Sequence, residues 1–189
     1  MDFANTARPE SDPAGTLGSW RELIDFLELR GAVSRSEGAA LRAMGEQDAR
    51  ACAAALERAL SLRETIRAML AAMADRRTLK VEWIAALNQV MVWGAGSARL
   101  DRRANGWQLA FTPSSAEPFW ALAPIGRSMA DLVAQGRGRE IKRCANPRCV
   151  LYFRDRSRAH RRRWCSMAVC GNRMKVAAHA RRHGRRRST

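Results

Sequence analysis

Two cysteine pairs constrain this chain more than any other feature. They are spaced Cys144-x4-Cys149 and Cys165-x4-Cys170, with fifteen residues between the pairs. A tetrahedral ion needs four donors around one point. Each pair supplies two from a local turn, and the stretch between them loops out and returns as a hairpin. Zinc suits such a site, being redox-inert and without geometric demands beyond the tetrahedron. The alternatives are two disulfides or four free thiols. Metal is favoured by the spacing and by the start of the chain. Met1-Asp2-Phe3-Ala4-Asn5 has neither the basic nor the apolar region of a secretory signal. No apolar run is long enough for a membrane helix, so the expected setting is a reducing cytoplasm with no membrane partner.

Charge divides the chain at the same place. Residues 137–189 carry 18 Lys or Arg against Glu140 and Asp155, whereas residues 1–136 carry 16 basic and 16 acidic side chains. The whole formal excess of +16 therefore belongs to the C-terminal segment. Such self-repulsion disfavours a compact state unless a structural clamp or a polyanion offsets it. The metal is the expected clamp, and nucleic acid is the expected polyanion. The anticipated domains are a helical unit over 1–136, a finger over 137–184 and a basic tail over 185–189.

The first unit reads as mainly α, within an α+β class. Ser19 and Glu22 form a capping box, followed by Trp20, Leu23, Ile24 and Leu27 at helical spacing and a stop at Gly31. Ser34 and Glu37 repeat the signal for a short helix that Gly45 should break. A long helix is expected over 47–75, with Ala55, Leu56, Ala59, Leu60, Ile66, Met69, Leu70 and Met73 inward and Arg63 at the stripe's edge. A fourth, over 79–93, should bury Val81, Ile84, Leu87, Val90 and Met91. Asn105-Gly106 predicts a type I′ turn in a hairpin near 98–112, pairing Leu100 with Phe111. Glu117-Pro118 opens a last helix that Pro124 should kink or split. Gly136 and Gly138 read as a hinge. Cys52, alone among alanines, reads as a small buried hydrophobe.

In the basic segment, residues 140–143 and 150–154 read as strands flanking the first cysteine pair, and residues 161–164 as a returning strand. Ser166 can cap a helix from Met167 to about His183, placing Cys170 in its first turn. Knuckle, hairpin and helix together describe a treble-clef-like finger. Residues from Arg181 onward read as an Arg-rich tail that lacks order without a partner. His179 and His183, four apart, have metal-ligand spacing, but four cysteines already complete a site. They read as surface or phosphate-facing residues.

Trp164-Cys165-Ser166-Met167-Ala168-Val169-Cys170-Gly171-Asn172-Arg173-Met174-Lys175 resembles the signature of the CGNR zinc-finger family. Arg143-Cys144-Ala145-Asn146-Pro147-Arg148-Cys149 and Phe153-x-Asp155 also match. Two positions depart from the pattern. Val150 stands where glycine is usual, and Ala159-His160 replaces an Asn-Gly common at the hairpin tip, which implies a longer or looser tip. Asp2-Phe3-Ala4-Asn5-Thr6 resembles the opening of the ABATE domain that accompanies this finger. Asn5 and Thr6 are expected to tie the N-terminus down rather than bind a ligand.

The resemblance implies a stress-induced transcriptional regulator. Cys144, Cys149, Cys165 and Cys170 would hold zinc. DNA would be gripped by Arg154, Arg156, Arg158, Arg161, Arg162, Arg163, Lys175, Arg181 and Arg182. Arg173 serves either there or in support of the zinc site. Phe153 and Trp164 are expected in a small aromatic core rather than on bases. The helical unit would sense a small-molecule effector or form a homodimer. An RNA- or ribosome-associated zinc module is the alternative. An enzyme is not expected: residues 1–136 contain no His, no Gly-rich phosphate loop and no Ser/His/Asp set.

Overall fold

The computed structural model describes residues 1–7, 17–103 and 106–186; side chains are described for these except at 103, 108–110 and 181–186. The helical unit begins with α1 (Trp20–Leu29), capped by Ser19 and Glu22. The Glu22 N–H donates to Ser19 Oγ at 3.2 Å, and the Ser19 N–H to Glu22 Oε2 at 3.1 Å. Gly31, at φ +66°, turns the chain. Ser34 and Glu37 cap α2 (Arg35–Gln47) in the same way.

Helix α2 does not break at Gly45. The Trp20 indole lies against that residue, where a Cβ would come within 2.9 Å of the ring. The Trp20 Nε1–H donates to the Leu41 carbonyl at 2.8 Å. Glycine is there for close approach between α1 and α2, and tertiary packing outweighs its poor helix propensity.

Helix α3 (Ala49–Ala74) is the axis of the fold, with Asp48 as its cap. Its buried face includes Cys52, Ala55, Ala59, Leu62, Ile66, Met69, Leu70 and Met73; Leu56 and Leu60 lie at its margin. Helix α4 (Val81–Val92) buries Leu87 and Val90, but Val81 is 73 % exposed. Helix α4 packs on α5, where Gly126 sits beside Val90 and Met91.

Strands β1 (Gly96–Arg103) and β2 (Gly106–Pro113) form the expected hairpin, in a different register. Leu100 faces Leu109, and Phe111 faces Ala98. Gly106 opens β2 at φ +117°, a conformation glycine takes without a Cβ clash. Residues 104 and 105, including Asn105 of the expected turn, lie outside the described residues. Phe111 packs on Trp120 at a ring distance of 6.1 Å, so the base of the ribbon rests on the helices. Leu100 and Trp107 further out are 65 % and 70 % exposed. Pro118–Leu122 forms a 3-10 turn that runs into α5 (Ala123–Ala134), placing Pro124 in the first helical turn. That is the predicted split.

The join to the basic segment is packed. Gly136 takes φ +63°, and Arg76 at the end of α3 donates to the carbonyls of Gly138 (3.4 Å) and Arg139 (2.9 Å). Strands β3 (Ile141–Arg143) and β4 (Tyr152–Arg154) then pair antiparallel, Lys142 opposite Phe153. Ile141 is fully buried, and with Tyr152 it joins the same hydrophobic core as α1, α3 and α5. Residues 161–164 form no strand. A π-helical turn (Met167–Gly171) leads into α6 (Asn172–Arg186), which runs past the expected end near His183. Residues 185 and 186 of the anticipated tail belong to this helix, and residues 187–189 lie outside the described residues.

Candidate metal centre

The β3–β4 turn brings Cys144 and Cys149 together, and the turn before α6 brings Cys165 and Cys170. All four Sγ atoms lie within 4.8 Å of one another. The Cys149–Cys165 and Cys165–Cys170 sulfur distances are both 3.7 Å. Zinc–sulfur bonds of about 2.3 Å at tetrahedral angles require sulfurs about 3.8 Å apart. A disulfide would need about 2.05 Å. The donor set and its spacing fit zinc, with two ligands from the knuckle and two from the start of the helix.

The crowded, buried sulfurs of Cys165 and Cys149 resist ionisation. Burial pushes the Cys165 thiol well up, and its three sulfur neighbours push it further. Burial raises Cys149 as well. At Cys144 burial has the same sense, but hydrogen bonds from the Cys165 and Asn146 backbone N–H groups, with those of the Cys149 and Cys165 thiols, together hold the thiol below its ordinary range. Several thiolates this close repel one another unless an ion sits among them.

Neighbouring groups orient the sulfurs. The Cys165 N–H points to Cys144 Sγ at 3.5 Å. The buried Asn146 donates from Nδ2 to Cys170 Sγ at 3.4 Å and accepts from the Arg148 N–H at 3.1 Å. Asn146, rather than Arg173, is the side chain that supports the sulfurs. Its place inside Cys-x-Asn-Pro was the available signal, since a polar side chain between two ligands has thiolate within reach. Gly171 permits close packing: a Cβ there would lie 2.4 Å from Met167 Sδ and 3.1 Å from Trp164. Val150 stays out of the left-handed region, so this knuckle needs no glycine.

Asp155 organises the hairpin. It is fully buried. Its Oδ1 accepts from Ser157 Oγ (2.6 Å) and the Ser157 N–H (3.1 Å), and its Oδ2 from Lys142 Nζ (2.7 Å) and the Arg162 N–H (2.9 Å). The Lys142 ammonium, and then the Ser157 hydroxyl, hold the carboxyl well below the usual carboxylate range. His160 takes the left-handed conformation that the missing Asn-Gly would have supplied, at φ +45°, and its ring Nδ1 lies 3.0 Å from the Asp155 carbonyl. The tip is thus tight, contrary to the expected looseness. That Asp155 is one of two acids in a segment of 18 bases is the sequence signal for this role.

The basic residues separate into two groups. Arg154 is ion-paired with Glu140. The Arg162 guanidinium lies 4.7 Å over the Phe153 ring and donates to the carbonyls of Trp164 (2.8 Å) and Cys165. Arg156, Arg158, Arg161, Arg163, Arg173 and Lys175 are exposed. Arg163 stacks 5.2 Å over Trp164. Arg181 and Arg182 sit on α6, and their side chains, like that of His183, are outside the described residues. Phe153 is buried and Trp164 half-buried, as a small aromatic core requires.

Asn5 joins the two ends of the chain. Its Nδ2 donates to the Tyr152 carbonyl at 2.8 Å, and its Oδ1 accepts the Tyr152 N–H at 3.0 Å. The amide thus satisfies the outer edge of β4 as another strand would. Thr6 Oγ1 donates to the Phe3 carbonyl at 2.7 Å, and Arg67 of α3 to the Ala4 carbonyl at 2.9 Å. Both side chains thus tie the N-terminal turn down by hydrogen bonds to backbone.

The CGNR zinc-finger family model matches residues 140–183. No curated protein matches the chain. No helix among the described residues is long and apolar enough to cross a membrane. With residues 1–136 of 189 matched by its model, the chain belongs to the ABATE family, described as "Putative stress-induced transcription regulator", and carries a CGNR zinc finger behind that domain.

Proposed function

We propose that this zinc-binding regulator is a non-catalytic DNA-binding protein whose finger grips the phosphate backbone and whose helical unit senses or dimerises. One observation carries the reading. The zinc site, Asp155 and Asn5 tie the hairpin down while Arg156, Arg158, Arg161 and Arg163 stay exposed to solvent. Internal pairs absorb both acids of the segment, Glu140 and Asp155, so nothing nearby neutralises those arginines. An array of fixed cations on a rigid support gives affinity for phosphate with little ordering cost. Arg173 and Lys175 extend it along α6. Arg154 and Arg162 support the array from within, through Glu140 and the carbonyls of Trp164 and Cys165.

The test is the affinity of the zinc-loaded chain for duplex DNA as a function of salt. The log of the binding constant should fall with slope about −0.9 for each phosphate neutralised. Replacing Arg156, Arg158 and Arg161 together by Gln should flatten the slope by that amount per lost contact. A flat plot for the unmodified chain overturns the reading. Preference for structured RNA over duplex DNA in direct competition replaces it with the RNA-binding alternative.

A further inference from the structure

Residues 1–6 face two ways. On one side Asn5 holds Tyr152 of the finger. On the other, Met1 to Ala4 wall a cavity of about 460 Å³ between α1, α3 and α5. That volume lies within the range of small-molecule sites, roughly 300–1,000 Å³. Phe3, Phe26, Ile66, Ile125 and Met129 make its lining apolar. Among the described residues no buried side-chain polar atom lacks a partner. The part of a ligand that enters must therefore be apolar, because a polar group there would lose its hydration without compensation.

The rim has a different chemistry. Arg30 and Asp2 both line the cavity, and Arg30 Nη1 lies 3.0 Å from Asp2 Oδ2. Both side chains are about half exposed, at 51 % and 59 %. Such a pair resists competition weakly. A carboxylate on a bound molecule can take the guanidinium in a bidentate pair and release Asp2. Asp2 is close to the finger along the chain: the Asn5 N–H donates to the carbonyls of Met1 (3.1 Å) and Asp2 (3.0 Å), so one tight turn connects the Arg30 contact to the amide that grips β4.

We propose that this cavity binds a small apolar monocarboxylate through Arg30, and that the released Asp2 transmits its occupancy through Asn5 to the zinc finger. The transmission gives the sensing part of the proposed function a ligand class and a route, and to that extent rests on it. The binding itself does not.

The experiment titrates 4-isopropylbenzoate into the zinc-loaded full chain by calorimetry, with 4-isopropylbenzamide as the neutral comparison. The carboxylate should bind about tenfold more tightly than the amide, as a charge-assisted pair requires. Arg30→Gln should abolish that preference while amide binding persists. Ser128→Trp, at an exposed lining position, should weaken both. Amide hydrogen exchange across residues 151–154 should quicken when the carboxylate is bound. No saturable binding of either probe overturns the site, and an unchanged preference in Arg30→Gln overturns its chemistry. Unchanged exchange overturns the transmission. Failure of the chain to bind duplex DNA removes the proposed function, while calorimetry and exchange still decide the cavity and its route.

Discussion

Replacing Asn5 by Ala removes the only described side chain that pairs with both backbone groups of Tyr152. The Tyr152 side chain is 7 % exposed and belongs to the shared core, so water reaches its backbone only if β4 moves. A buried backbone group left unpaired costs about 1–3 kcal/mol, and a net hydrogen bond is worth about 0.5–1.5 kcal/mol. With two groups affected and partial relaxation at the open side of β4, the expected loss is about 2–3 kcal/mol. Urea denaturation of the zinc-loaded chain, followed by tryptophan fluorescence, measures it. Zinc content should be unchanged, since no ligand is touched. Asn5→Asp keeps the acceptor for the Tyr152 N–H but turns an oxygen toward the Tyr152 carbonyl. It should therefore not recover the stability. A loss below about 0.5 kcal/mol, the ordinary range for surface substitutions, would refute the idea that Asn5 fastens the finger to the helical unit.

Cys170→Ser should abolish stoichiometric zinc in elemental analysis, and salt-dependent DNA binding should go with it, because two of the four ligands come from the turn entering α6. Ile141→Ala should cost about 2–5 kcal/mol in the same urea assay, since the side chain is fully buried between the finger and the helical core. The cost should appear as a change in one common transition, because the two units share that core. Asp155 supplies a pH dependence of defined sign. Its folded-state pKa is depressed, so its contribution is complete above the unfolded value of about 3.9 and is lost as pH falls below it. The stability gap between the natural chain and Asp155→Asn should be constant at neutral pH and narrow below about pH 4. A gap that widened on acidification would reverse the sign and exclude the Lys142 pairing as its cause.

Much of the fold was legible because it is local. Two capping boxes located α1 and α2, since the Ser and Glu partners lie three residues apart and report on nothing beyond one turn. Pro124 correctly split the last helix of the first unit for the same kind of reason. The errors were non-local. Gly45 has the propensity of a helix breaker, but it accommodates an indole from another helix. The hairpin register slipped because Gly106 uses its positive φ at a strand end rather than inside the turn.

The metal ligands were decided by the sequence alone. Four cysteines at that spacing, in a segment too small and too basic to fold on apolar burial, leave a bound cation as the available source of stability. Composition also located the positive charge. Only the tertiary structure decided which cations remain free and where the finger points. Arg154 and Arg162 were indistinguishable by type from Arg156 and Arg158, because charge along a chain carries no information about which partner lies across a hairpin. Likewise Asn5 and Tyr152 are separated by 147 positions. Their bond exists because α3 carries the N-terminal turn and β3 on the same surface, and hydrogen bonds depend on distance in space rather than along the chain.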